Sequence, residues 1–456
     1  MQRNGLLTEG VIWKQILIFS IPLIIGNFFQ QMYNTVDTLV IGNYLGGIAL
    51  ASVGAGNVII NLLLSLFAGL ATGAGVLIAQ LFGAHVWGRV RLAVRTTAAF
   101  TLLAGLVMTV VGVVGSGPAL SLIGTPPEVM PGARLYLWIY FSGILPLMIY
   151  NVGAGILRAV GDSRTPLYYL VAATVVNVVL DLLFVAVFGM GVGGVAVATL
   201  IAQTLAAALI VLKLTRTQAV YRVDLRRLRI VPAVLRAILR IGVPAGMQQM
   251  AMSVSNLVVQ SCINALGPTV MAAWNVYNKL DGVAVLPILS FGLAMTTFTG
   301  QNVGAGLRER VYEGTRVGAL MSCAFAVAFS ILLAICGPQL FSLFTKEPEI
   351  LAYGTRMIRG LSPFYFLVAI MYVLSGVING AGYSLPTMVI MLTNLCVVRI
   401  VFLKTMPVFL PGVELVLWAF VVSWTTCVGG LWLYYRKGTW RRALPPETDR
   451  KPDEKL

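Results

Sequence analysis

Polar, Gly- and Pro-containing breaks cut this chain into twelve apolar segments. They fall near residues 15–41, 50–79, 93–114, 133–157, 167–188, 193–214, 240–263, 272–299, 314–336, 353–378, 386–405 and 413–435. About 20 apolar residues carry an α-helix across hydrocarbon. Backbone inside lipid must satisfy its own hydrogen bonds, so only helices and closed barrels span a bilayer. A barrel would read as short alternating segments, and this sequence has none. The pattern predicts an all-α membrane protein of twelve transmembrane helices. Composition agrees, with 11% charged and 58% hydrophobic residues against roughly 25% charged in soluble domains.

The start, "MQRNGLLTEG", is polar, and the first apolar segment is too long for a signal-peptide core, so it is expected to remain as span 1. Cys262, Cys323, Cys336, Cys396 and Cys427 all fall in or at the ends of apolar segments and read as small packing residues. Lys and Arg concentrate on alternate breaks. With the N-terminus inside, the inner segments hold most of them, including eight between Lys213 and Arg240 and seven from Arg436 to Lys455. The positive-inside rule then places both termini in the cytoplasm. The net charge of +16 is mostly this bias. It points to membrane lipid as a partner, and no basic soluble domain offers a nucleic-acid surface.

The central basic stretch divides the helices six and six. Pro22 in "SIPLIIGN" and Pro244 in "IGVPAGMQ" take equivalent places. "NYLG" (43–46) recurs as "NALG" (264–267), "AQLFGA" (79–84) as "GQNVGA" (300–305), and "GILRAVGDSRTP" (155–166) as "GVINGAGYSLP" (376–386). Matches in the same order argue for internal duplication. Six helices is an even number, so both halves enter from one side, and the repeat axis lies along the membrane normal. The expected organisation is an N-terminal lobe 1–212, a basic cytoplasmic linker 213–239, a C-terminal lobe 240–436 and a cytoplasmic tail 437–456. Two six-helix lobes around a cavity suit a transporter.

Ionisable residues inside spans are functional candidates, because each costs about 3 kcal/mol at the membrane centre. The first half has two, Asp37 in span 1 and Asp181 in span 5, both about two turns from the outer end. Thr199 in span 6 falls at the same level. Asn177 and Asp181 are four residues apart and share a helix face, and Gln30, Tyr33, Asn34 and Asp37 form one stripe. Asn151 of span 4 can join them. Two carboxylates, an amide and a hydroxyl are hard oxygen ligands suited to H⁺ or Na⁺. Gln30, Tyr33, Asn34 and Asn151 either hydrogen-bond helices together or contact substrate. In the second half, Asp281 is expected to pair locally with Lys279, and Arg399 to bond helix carbonyls or an acid across its lobe.

These residues resemble the multidrug and toxic compound extrusion (MATE) family. The resemblance rests on Pro22 and "VDT" in span 1, the "QLFGA" and "GQNVGAG" turns, "GILRAVGDSRTP" and "NVVLD", and it covers about residues 10–435. The sequence is similar to the prokaryotic branch that keeps its carboxylates in the N-terminal lobe. That resemblance implies antiport, coupled to H⁺ or Na⁺, that exports organic, cationic amphipathic compounds by alternating access. It assigns Asp37, Asn177, Asp181 and Thr199 to the cation site. It also matches Pro22 to a proline where span 1 bends, although a static kink would leave the same signature. Span 7 lacks the acid that another branch carries there.

No Walker A sequence, HExxH or nucleophile elbow occurs, so a secondary transporter rather than an enzyme or ATP-driven pump is expected. "GMGVGG" (189–194) lacks a preceding strand and reads as a turn. No cofactor is expected beyond the coupling ion. The chain is expected to be a monomer in a prokaryotic cytoplasmic (inner) membrane. The alternative is a flippase for lipid-linked oligosaccharides, of the same superfamily, whose cavity would be basic.

Overall fold

The computed structural model describes residues 7–444, so the end of the expected tail, 445–456, lies outside the described residues. Among the described residues the chain is helical throughout, with no strand. Nine helices are long and apolar enough to cross a bilayer, ten when the bent pair Met130–Ser142 and Ile144–Ala159 is one span. Helix α1 (Ile12–Gly83) is 72 residues long and breaks at Gly46, so it supplies two spans. Helix α7 (Pro232–Ala265) is also long enough, although Gln248, Gln249 and Asn256 make it more polar. The expected twelve spans are thereby present.

The break in α1 falls in the duplicated "NYLG". Gly46 has φ 79°, and its counterpart Gly267, ahead of helix α8 (Pro268–Gly304), has φ 101°. Both lie in the left-handed region that side chains avoid, so both copies of the motif turn the chain alike. Elsewhere in α1 no residue leaves helical φ/ψ, and the helix runs through Pro22.

Two spans depart from the regular α pattern. Helix α5 (Arg164–Asp181) continues as a π-helical turn, Leu182–Val187, beginning directly after Asp181. Another π-helical turn, Thr393–Val398, ends directly before Arg399. Such turns are frequent at functional sites. Hydrophobic periodicity carries no signal for them. "GMGVGG" is a turn only at its start: Gly189 and Gly191 are at positive φ, and 191–194 already form the first turn of the helix Gly191–Arg216.

The described residues pack as two compact units. One gathers the residues up to Ile18, Ala79–Val86 and the chain from Val254 on; the other holds Phe19–Ile78 and Trp87–Ser253. In the first unit the two "Q-x-x-G" turns meet each other. A Cβ on Gly83 would lie 1.9 Å from the Gln301 carbonyl oxygen, and one on Gly304 would lie 1.9 Å from the Gln80 carbonyl oxygen. Only glycine permits that approach. The Gln80 side chain also donates to the Gly380 carbonyl at 2.8 Å.

The segment ahead of α1 is tied to this unit too. The buried Leu7 donates its N–H to Gln301 Oε1 at 2.8 Å. Arg310 donates to the carbonyls of Glu9 and Gly10 at 2.9 Å each, and to that of Leu7.

All five cysteines are free. Two ion pairs lie at the surface, Arg227–Asp224 at 3.5 Å and Arg356–Glu414 at 2.5 Å.

Candidate cation and substrate site

The second unit contains a cavity of about 510 Å³. The polar stripe on the first arm of α1 faces it: Gln30, Tyr33, Asn34 and Asp37 all line it, as do Asn151 of helix α4 (Ile144–Ala159) and Thr199 of helix α6 (Gly191–Arg216). The periodicity that groups the stripe is the one that aims it, since residues three and four apart share a helix face. Tyr33 donates its hydroxyl to Thr199 Oγ1 at 3.0 Å. Asn151 donates to the Leu147 carbonyl one turn back at 2.9 Å, leaving its amide oxygen for the cavity.

Asp37 is half-buried, whereas Asp181 and Asn177 are completely buried and do not line the cavity. The Asp37 and Asp181 carboxyl groups are side-chain neighbours, and Asn177 lies beside Asp181. The arrangement is layered: one acid at the cavity wall, the other behind it. Asn177 and Asp181, one turn apart on α5, reach the same place, and Asp181 ends the α-helical part of the span.

Five buried polar atoms of this cluster meet no partner of sound hydrogen-bond geometry. They are Oδ1 of Asp37, both oxygens of Asp181, and Oδ1 and Nδ2 of Asn177. Native proteins satisfy more than nine in ten such groups. Two facing carboxylates cannot hydrogen-bond unless a proton lies between them. The donor set, two carboxylates and an amide oxygen, fits a proton or a hard monovalent cation. Thr199 is tied to this cluster through Tyr33.

Several cavity residues carry no ionisable signal and were not singled out from sequence. Asn57 and Asn61, one turn apart on the second arm of α1, line the cavity with Gln203, Tyr136 and Tyr140. Spacing alone could have flagged Asn57 and Asn61. The two tyrosines, close enough to feel the charge of Asp37, sit on helix α3 (Met130–Ser142) among ordinary apolar residues.

Two expectations for the second half are corrected. Lys279 makes no ion pair with Asp281; its ammonium lies over the Phe344 ring, 5.6 Å from the centroid. Residues two apart lie about 200° around the α8 axis, so the two side chains point apart. Among the described residues Arg399 reaches neither a helix carbonyl nor an acid. It is buried, donates to Ser255 at 3.0 Å and to Ser423 at 2.9 and 3.1 Å, and lies over Phe420 at 4.1 Å. Those hydroxyls and that ring stand where the carbonyls or the acid were expected.

The family model MatE matches residues 22–183 and again 244–404, once in each half. The probable multidrug resistance protein YpnP of Bacillus subtilis (strain 168) is 32% identical over 440 residues, 95% of this chain and 97% of that protein. The probable multidrug resistance protein YoeA of the same organism is 30% identical over 386 residues, 83% of each chain. Among solved structures, one titled as the outward-facing conformation of a multidrug resistance MATE family transporter of the MOP superfamily superposes with a TM-score of 0.91. It is 24% identical and covers 97% of this chain and all of that one. Twelve apolar spans, a twice-matched family model and relatives covered nearly end to end place the chain in the MATE family of multi-pass membrane transporters.

Proposed function

We propose that the chain is a cation-coupled antiporter that exports organic, cationic amphipathic compounds by alternating access. In this reading its lobes are residues 1–212 and 240–436, and it sits in the cytoplasmic membrane with both termini inside. The observation that carries it is the acid pair, Asp37 at the wall of a polar cavity with Asp181 buried behind it. The relatives' names as multidrug resistance proteins support the direction and the cargo class.

Two neighbouring carboxylates resist being bare charges together, because each repels the other and both lose water. A proton or Na⁺ shared between them removes that cost and lets the cavity close. An organic cation entering the cavity offers Asp37 an alternative partner, so cargo and coupling ion compete for one charge. Tyr33, Tyr136 and Tyr140 present aromatic faces for a desolvated cation. A membrane potential of 100 mV adds about 2.3 kcal/mol per charge moved across, enough to bias the cycle. Pro22 gives the first arm a place to flex, since it lacks one backbone donor.

The flippase alternative is not favoured. No Lys or Arg lines the cavity, and a pyrophosphate headgroup would want them.

The test is transport of ethidium in proteoliposomes with pH and Na⁺ gradients imposed separately. Uptake driven by at least one gradient is expected. Uptake that needs ATP, or none under either gradient, would overturn the proposal.

A further inference from the structure

Asp281 lies on α8, roughly 20 Å along the axis from Pro268 at 1.5 Å per residue. It has no counter-charge among the described residues: Lys279 lies over Phe344, and Arg399 is taken up by two serines and Phe420. Two phenols hold it instead. Tyr277 donates to Oδ1 at 3.1 Å and Tyr365, at the start of helix α11 (Tyr365–Gly380), donates to the same oxygen at 2.5 Å. Tyr372 is the other titratable group close enough to feel Asp281. Both phenols use Oδ1, and Asp281 is half-buried rather than fully enclosed.

The duplication tests whether this cluster is merely structural. Counting from the flanking matches Gly46/Gly267 and Gly83/Gly304, Asp281 falls opposite Ile60 and Tyr277 opposite Gly56. Counting from Gly155/Gly376, Tyr365 falls opposite Ile144. Ile60 and Ile144 are buried in one apolar cluster. At these two positions the first half packs isoleucine in place of the acid and the Tyr365 phenol, so packing there does not require the acid. Around Asp281 the aromatic surface is also dense: Trp274 stacks on Tyr277 at 5.1 Å, and Trp424 packs on Tyr365 at 6.4 Å.

We propose that Asp281, held by Tyr277 and Tyr365, is a second cation-binding group, taking the charged nitrogen of an organic ammonium compound apart from the Asp37 cavity. A carboxylate oxygen beside aromatic rings is the chemistry that recognises such a nitrogen. The inference rests on the reading of the chain as an exporter of organic cations.

The experiment titrates the purified full-length protein with two fluorescent probes, the cation ethidium and the neutral Nile red. It does so in the wild type and in an Asp37→Asn background. Asp37→Asn alone is expected to keep measurable ethidium binding. Adding Asp281→Asn is expected to weaken that binding about tenfold, as for loss of about 1.4 kcal/mol, with Nile red affinity unchanged. The variant Tyr277→Phe/Asp281→Leu/Tyr365→Phe removes every polar atom together, which a purely structural cluster tolerates; it is expected to fold and to lose the same ethidium affinity. Should Asp281→Asn not fold, this apolar variant decides. Unchanged ethidium binding in either variant, or equal loss for both probes, overturns the inference and leaves the exporter reading standing. A wild type that binds no ethidium overturns both.

Discussion

The two halves descend from one plan, and their differences fall at the polar residues. In the first half the acids within spans are Asp37 and Asp181, on spans 1 and 5, next to each other and without an ion-paired cation among the described residues. In the second half one acid, Asp281, is held by two tyrosines, and the buried charge near the matching depth of span 11 is positive, Arg399. One half thus concentrates negative charge, while the other separates an acid from a base and surrounds both with hydroxyls and rings. Apolar helix contacts leave wide choice in a few interior positions, and charge has been placed there differently in each copy. Where the copies touch each other, at Gly83 and Gly304, they have stayed alike.

The contrast is broken most severely at the acid pair. Asp37→Asn and Asp181→Asn are each expected to lower ethidium export by a factor on the order of ten or more, with the protein still inserted and folded; resistance assays alongside membrane yield measure this. Export retained in both would erase the distinction between the halves. Next come the alike positions. Gly83→Leu and Gly304→Leu should each destabilise by about 1–3 kcal/mol or more through overpacking against a backbone oxygen, and by similar amounts, read as melting temperature in detergent. A large difference between them would show that the contact is not equally shared.

Arg399→Met gives a smaller effect. Ser255 and Ser423 keep their own bonds to the Leu395 and Phe420 carbonyls, so losing the guanidinium strands no hydroxyl. The change in stability is expected to stay within about 1 kcal/mol, because a buried charge without an opposite partner is replaceable by an apolar chain. A loss of several kcal/mol would reveal an acidic partner in another state. Last, Tyr33→Phe removes the bond to Thr199 and should cost about 1 kcal/mol of stability, with a modest change in transport.

Much of this was legible in the chain itself. Span count followed from apolar length, and the stripe from Gln30 to Asp37 followed from helical spacing, because both are set by local geometry. The layering of Asp37 over Asp181 was not legible, since it depends on how two spans far apart in sequence pack. The expected Lys279–Asp281 pair failed for the opposite reason. Nearness along the chain suggested a contact that helix geometry forbids, while the true partners are Tyr277, one turn away, and Tyr365, 84 residues away. The π-helical turns beside Asp181 and Arg399 have no signature in apolar periodicity.

The crossing of the two Gln-x-x-Gly turns has a consequence for how such a chain can vary. Copies of a doubled sequence usually drift apart freely, each answering to its own neighbours. A seam where one copy is the other's neighbour is different, because each glycine makes room for a carbonyl oxygen in the opposite turn. Any side chain added on one side would have to be met by a backbone withdrawal on the other. That seam is where the history of the doubling should stay readable longest, after the interiors of the halves have become strangers.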